Sequence, residues 1–76
     1  MGHVIRYFSK QDDSYVGECP LEVSLVELQK LFGEPADNPM YECYLVSDEH
    51  VSLLRKYASI HFNLDDFEYF VEYDAL

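Results

Sequence analysis

The run Ser24-Leu-Val-Glu-Leu-Gln-Lys-Leu-Phe-Gly33 writes both ends of a helix into ten residues, and so limits what the rest of a 76-residue chain can do. Ser24 and Glu27 have the spacing of a capping box, in which each side chain accepts a hydrogen bond from the other's backbone amide. Val23 and Leu28 occupy the staple positions around it. Leu25, Leu28 and Phe32 recur at helical spacing with Leu31 beside them, and Gly33 supplies the left-handed residue that ends the helix. The reading is a helix from about Leu25 to Phe32. Ser47 opens a second, from about Asp48 to Ala58: Asp48 and Glu49 stand at its positive end, Arg55 and Lys56 toward its negative end, and Val46 with Val51 forms another staple. Its buried side is Val51, Leu54 and Ala58, with Leu53 and Tyr57.

The segments around these helices read as strands. His3 to Ser9 is rich in β-branched and aromatic residues, and Tyr15 to Cys19 reads similarly across the polar loop Lys10-Gln-Asp-Asp-Ser14, which predicts a β-hairpin built on a type I turn. Gly17 marks a bulge or a close packing neighbour, and Pro20 ends the ladder. Glu34 to Pro39 is a connector, because its two prolines exclude regular structure. Met40 to Val46 is either a short strand or an extended lead-in to the second helix.

After the second helix, Ile60, Phe62 and Leu64 alternate with His61 and Asn63, the period of a half-buried strand, and the run continues through Asp65-Asp66 into Phe67-Glu-Tyr-Phe-Val-Glu-Tyr73. A helix capped by Asn63 competes, since Leu64, Phe67 and Val71 also fit a helical stripe; the aromatic and β-branched content favours strand. In a strand, Phe67, Tyr69, Val71 and Tyr73 face the core and Glu68, Phe70 and Glu72 face away. Phe70 then stands among carboxylates, either covered by a second layer (a helix or the chain's own terminus) or exposed as an anchor for a partner. Tyr41 and Tyr44 are candidates to extend such a surface. The expected fold is α+β: one domain, residues 1–76, with a three- to four-stranded, mainly antiparallel sheet and two helices in the order β-β-α-α-β, the last strand continuous or split.

Charge gives the first functional indication. Fifteen acidic residues against five basic ones leave a net charge of −10, a field that repels nucleic acid and anionic membrane and draws in basic partners. From Gln11 to Gln29 there are five acids and no Lys or Arg, and from Tyr57 to Leu76 the same holds. No apolar run approaches the roughly 20 residues that span a bilayer, no signal segment opens the sequence, and Arg6 stands where a myristoylation pattern requires Ser or Thr. The expected location is the cytoplasm, where Cys19 and Cys43 read as free, partly buried thiols. Their distance from each other and from His3, His50 and His61 supports no zinc site. Asp12-Asp13 and Asp65-Asp66 read as solvated turn residues before they read as catalytic pairs, and the sequence holds no phosphate loop, calcium loop or nucleophile elbow. A non-enzymatic binding protein without metal or cofactor is expected.

Leu28-Gln-Lys-Leu-Phe-Gly33, Asn38-Pro-Met-Tyr-Glu-Cys-Tyr44 and the aromatic-acidic terminal segment resemble a family of small bacterial domains, over Ser24 to Tyr73. In size and charge the chain is also similar to immunity proteins of bacterial toxin systems, including contact-dependent inhibition. That resemblance implies binding to a cognate basic toxin domain, often a nuclease, and blocking it. The residues expected to carry the contact are Asp12, Asp13, Glu18, Asp65, Asp66, Glu68, Phe70, Glu72 and Asp74. An acidic regulator or nucleic-acid mimic acting on a host DNA-binding protein is the alternative, and a small enzyme or ligand-binding domain with a defined pocket is the third reading.

Overall fold

The computed structural model describes residues 2–74. It is an α+β fold of four antiparallel strands and two helices: β1 (Gly2–Ser9), β2 (Tyr15–Pro20), α1 (Leu25–Phe32), β3 (Tyr44–Leu45), α2 (Asp48–Leu54) and β4 (Phe67–Asp74). The sheet order is β2-β1-β4-β3, so the first and last strands of the chain are central neighbours. β1 and β4 pair without interruption from Gly2 against Asp74 to Ser9 against Phe67.

The hairpin forms as expected, and its loop is closed by local polar chemistry. Ser14 donates from its amide and its hydroxyl to Asp12 Oδ1, at 3.1 and 2.7 Å. Asp13 sits at φ 59°, a left-handed conformation that short polar side chains tolerate. Both readings of Gly17 hold. The register shifts between Tyr7 and Phe8, and a Cβ on Gly17 would lie 3.1 Å from the Tyr7 hydroxyl.

α1 spans the expected residues, with one change at its start. The Glu27 amide donates to Ser24 Oγ at 3.2 Å, but the Glu27 carboxylate leaves the capping box and accepts from the Tyr57 hydroxyl at 3.1 and 3.3 Å. This contact ties α1 to the chain beyond α2, and hydrogen bonding to the carboxylate raises the Tyr57 pKa. The other end is a Schellman closure around Gly33 (φ 67°), with Glu34 N–H to Gln29 O at 2.8 Å and Gly33 N–H to Lys30 O at 3.4 Å.

Three expectations are corrected. α2 ends at Leu54 rather than Ala58; winding continues only as tight turns, Lys56 N–H to Leu53 O and Tyr57 N–H to Leu54 O, each 3.0 Å. The Tyr57 carbonyl is then taken by the Glu22 amide at 3.2 Å, which leads the chain away from the helix. Residues 60–64 are not a strand. Ile60, Phe62 and Leu64 do pack against the core while His61 is exposed, but Asn63 is half-buried like its neighbours, so the alternation marked the apolar contacts and only part of the burial. Both flanks of β1 are occupied by β2 and β4, and the segment bonds to a side chain instead: Asn63 N–H donates to the Tyr69 hydroxyl at 2.9 Å. One turn follows, with Phe67 N–H on Asn63 O and Asp66 N–H on Asn63 Oδ1, a single turn of the competing helix. β4 is therefore unsplit, and the short β3 between the helices changes the expected order to β-β-α-β-α-β.

The core is Ile5, Leu21, Leu28, Met40, Val46, Leu54, Ala58, Tyr69 and Val71. Its members on β1 and β4 all have odd numbers, so the helices and connectors cover one face of the sheet. Two of the three segments that carry the family resemblance interlock beside it. Buried Gln29 donates to the carbonyls of Asn38 and Ala36 at 2.7 and 3.1 Å, and Asn38 donates to Glu34 and to the Tyr44 hydroxyl at 2.7 and 3.2 Å. Asn38 Oδ1 also accepts from the Met40 amide at 2.9 Å, holding buried Met40 at φ 56°. Replacing Gln29 by Ala strands two carbonyls and should cost about 1–3 kcal/mol in urea unfolding; a loss below about 0.5 kcal/mol would show that water replaces the side chain.

At the start of α2 the amide of Ser47 donates to His50 Nδ1 at 3.0 Å, and the imidazole packs on Phe32 with ring centroids 4.2 Å apart. Only neutral imidazole can accept there. Burial lowers the His50 pKa, with Glu49, 3.8 Å from Nε2, opposing. A lowered folded pKa gives stability that is complete above the unfolded value near 6.5 and is lost as pH falls through the folded value. Stability should therefore decline on acidification below pH 6.5. His50→Gln keeps an acceptor at the capping-box position and should remove that decline in a thermal melt series; an unchanged slope would assign it to other groups.

Candidate functional site

The even-numbered positions of β1 and β4 point away from the core, and among the described residues neither Phe8 nor Phe70 packs against the core cluster. Register then determines what this open face displays. Arg6 lies across from Phe70 on one side and Glu18 on the other; Phe8 lies across from Glu68 and Tyr15; Leu45 of β3 lies across from Phe70. Tyr15, Phe8, Phe70 and Leu45 therefore cross all four strands as an apolar stripe. Phe8 meets Phe70 at 5.9 Å and Tyr15 at 5.8 Å, both edge to face. Tyr15 and Leu45 are each 55% exposed. Phe70 is half-buried, with the Phe8 ring against it and Leu45 across from it; Ala75 and Leu76, the terminus named above as a possible cover, lie outside the described residues.

Beside the stripe, Arg6 organises three carboxylates. Its Nε donates to Glu18 at 2.8 Å, Nη1 to Glu72 at 2.9 Å, and Nη2 to both oxygens of Asp74 at 2.7 and 2.8 Å. These bonds, Asp74's first, raise the guanidinium pKa still further above its ordinary value. Glu18 also accepts from the Tyr15 hydroxyl at 3.0 Å; Arg6 first and Tyr15 second hold its carboxyl below the usual range. Three negative charges against one positive leave the cluster at a net −2.

The nine residues read from the sequence thus fall into two groups. Glu18, Glu72 and Asp74 gather around Arg6, next to Phe70. Asp12, Asp13, Asp65 and Asp66 lie in the turns at the other end of the sheet, brought together by a bond from the Lys10 amide to Asp66 O at 3.0 Å, with Glu68 at the strand start nearby. Asp12 is engaged by Ser14, which lowers its pKa, and Asp66 accepts from Asn63 Nδ2 at 3.0 Å, so both shape their turns. Tyr44 and Tyr41 do not join the face. Tyr44 pairs with Val71 and packs toward Phe32 on the core side, while the Tyr41 ring lies tilted against Tyr73 with centroids 4.5 Å apart.

Sequence reasoning missed Arg6, Phe8, Tyr15 and Leu45. The two-residue period of β1 puts Arg6 and Phe8 on one face, but only the pairing of β1 with β4 sets them beside Phe70 and Glu72. Both cysteines are free; Cys19 is half-buried and Cys43 exposed, not partly buried as expected. Burial raises both thiol pKa values, and nearby Glu72 adds to the shift at Cys43.

One contact has the composition of a nucleophile and base: Ser47 Oγ lies 3.2 Å from His50 Nδ1. That nitrogen's single in-plane lone pair already accepts the Ser47 amide, so it is not placed to take the hydroxyl proton. Among the described residues no group of three His, Cys, Asp or Glu is arranged to hold a metal ion, and no helix is long and apolar enough to cross a membrane. Residues 3–72 match the family described as Domain of unknown function (DUF7683). No curated protein matches the sequence.

Proposed function

The chain belongs to that family of small domains, and from this premise we propose that it is a non-enzymatic binding protein of the immunity type, which neutralises a basic bacterial toxin domain by docking its open sheet face on it. The observation that carries the reading is the outer sheet face, where among the described residues an aromatic stripe lies beside carboxylates already fixed in position. A sheet face that carries half-exposed Phe8 and Phe70 outside the core cluster suits a partner surface. The net charge of −10 suits a partner whose own function requires a cationic groove, such as a nuclease, and speeds the encounter by long-range attraction. Carboxylates would then occupy the places of substrate phosphates.

The test is a pull-down at 50 mM salt with the protein encoded next to this one, followed by an activity assay of that protein. Retention with loss of its toxic activity is the expected result, and no retention at low salt would overturn the reading. Glu68→Gln combined with Glu72→Gln should weaken the complex about tenfold or more and flatten its salt dependence, whereas Glu49→Gln on α2 should leave it unchanged. Equal effects would mean that overall charge, not this face, makes the contact. Displacement of duplex DNA from several unrelated proteins would favour the nucleic-acid mimic.

A further inference from the structure

We infer that the open sheet face is built to take arginine side chains of a basic protein in preference to lysine. The inference rests on the preceding reading for the charge of the partner, and on separate observations for its chemistry. A planar guanidinium is recognised where an aromatic surface and a fixed carboxylate lie side by side, because it stacks on the first and donates paired N–H groups to the second. An ammonium is a strongly hydrated point charge with no planar match to either.

The face provides this combination. Phe70 and Glu72 project from the same side of β4 two residues apart, and Phe8 and Tyr15 extend the aromatic surface across β1 and β2. None of these rings is buried. The protein already seats one guanidinium on this face: Arg6, directly across from Phe70, donates to three carboxylates at 2.7–2.9 Å. Two negative charges remain uncompensated there. Arg6 acts as a positioning residue, since it fixes Glu18, Glu72 and Asp74 before a partner arrives and so reduces the ordering that binding requires.

The probes are a nonamer of arginine and a nonamer of lysine, each titrated into the whole 76-residue chain and followed by NMR at 50 and 300 mM salt. At 300 mM the arginine peptide should bind about three- to tenfold more tightly, shifting the resonances of Phe8, Phe70 and Glu72. Phe70→Leu should bring the two affinities together while leaving lysine binding unchanged. If that variant does not fold, Tyr15→Leu, at an exposed position, provides the same comparison. Equal affinities for the two peptides, or shifts confined to residues 10–14 and 63–66, would overturn the inference. A toxin retained in the pull-down with no arginine preference would remove this inference and leave the proposed function; a preference with no toxin retained would do the reverse.

Discussion

Tyr69→Ala should remove about 3–5 kcal/mol of folding stability, the usual cost of truncating a fully buried aromatic. A domain of this size has only about 4–11 kcal/mol in total, at roughly 0.05–0.15 kcal/mol per residue. The variant should therefore be largely unfolded on modest heating. Tyr69 is 1% exposed on a central strand, stacked on Tyr7 at 5.0 Å and tilted against Phe62 at 4.9 Å. Its hydroxyl accepts from Asn63 N–H at 2.9 Å and donates to His61 O at 3.4 Å, so one side chain fastens residues 60–64, which have no ladder of their own. Tyr69→Phe separates the two contributions: the ring stays, the hydrogen bonds go, and the expected loss is about 1–3 kcal/mol. Urea unfolding of both variants measures the difference. A Tyr69→Ala loss below about 1 kcal/mol would mean that the core does not depend on this ring.

Arg6→Met should destabilise the protein by about 1–3 kcal/mol at neutral pH and low salt. Four charge-assisted hydrogen bonds are lost, although the guanidinium is partly exposed and solvent screens each pair. The three carboxylates are then left to repel one another across the space it occupied. The pH dependence has a definite sign. In the native protein the Glu18 pKa is lowered, so this contribution is present above its ordinary value and is lost as pH falls through the folded value. In the variant, mutual repulsion pushes carboxylate pKa values up, and acidification relieves it. The gap between the two should narrow as pH falls below the ordinary carboxylate range toward the lowered Glu18 value and also shrink at high salt. A gap independent of both would make Arg6 a packing residue rather than an electrostatic one. The same variant should weaken partner binding despite making the face more negative, because the carboxylates lose their fixed positions.

These two residues mark what could and could not be read from the sequence. Tyr69 was legible as core, because the period of β4 assigns odd positions to one face whatever lies opposite. Arg6 was legible only as one of five basic residues. Its three partners lie 12, 66 and 68 residues away, and no local pattern reports such a distance. Glu27 shows the opposite case: its spacing from Ser24 suits a capping box, yet its carboxylate goes to Tyr57, because α2 brings that hydroxyl within reach. Phe70 lies between these cases, since parity placed it on the outer face but could not show whether another layer covered it.

The sequence by itself determined both helix starts, the end of α1, the hairpin and the inward face of β4, because caps, glycine stops and side-chain periods act over a few residues. It also determined the acidity, which is a sum over residues and needs no fold. Tertiary structure alone decided that β1 and β4 lie side by side, that residues 60–64 are held by a tyrosine hydroxyl rather than a ladder, and that Arg6, Phe8, Phe70 and the carboxylates share one outer face of the sheet. Strand pairing brings together residues separated by most of the chain, and its register depends on the whole core closing at once.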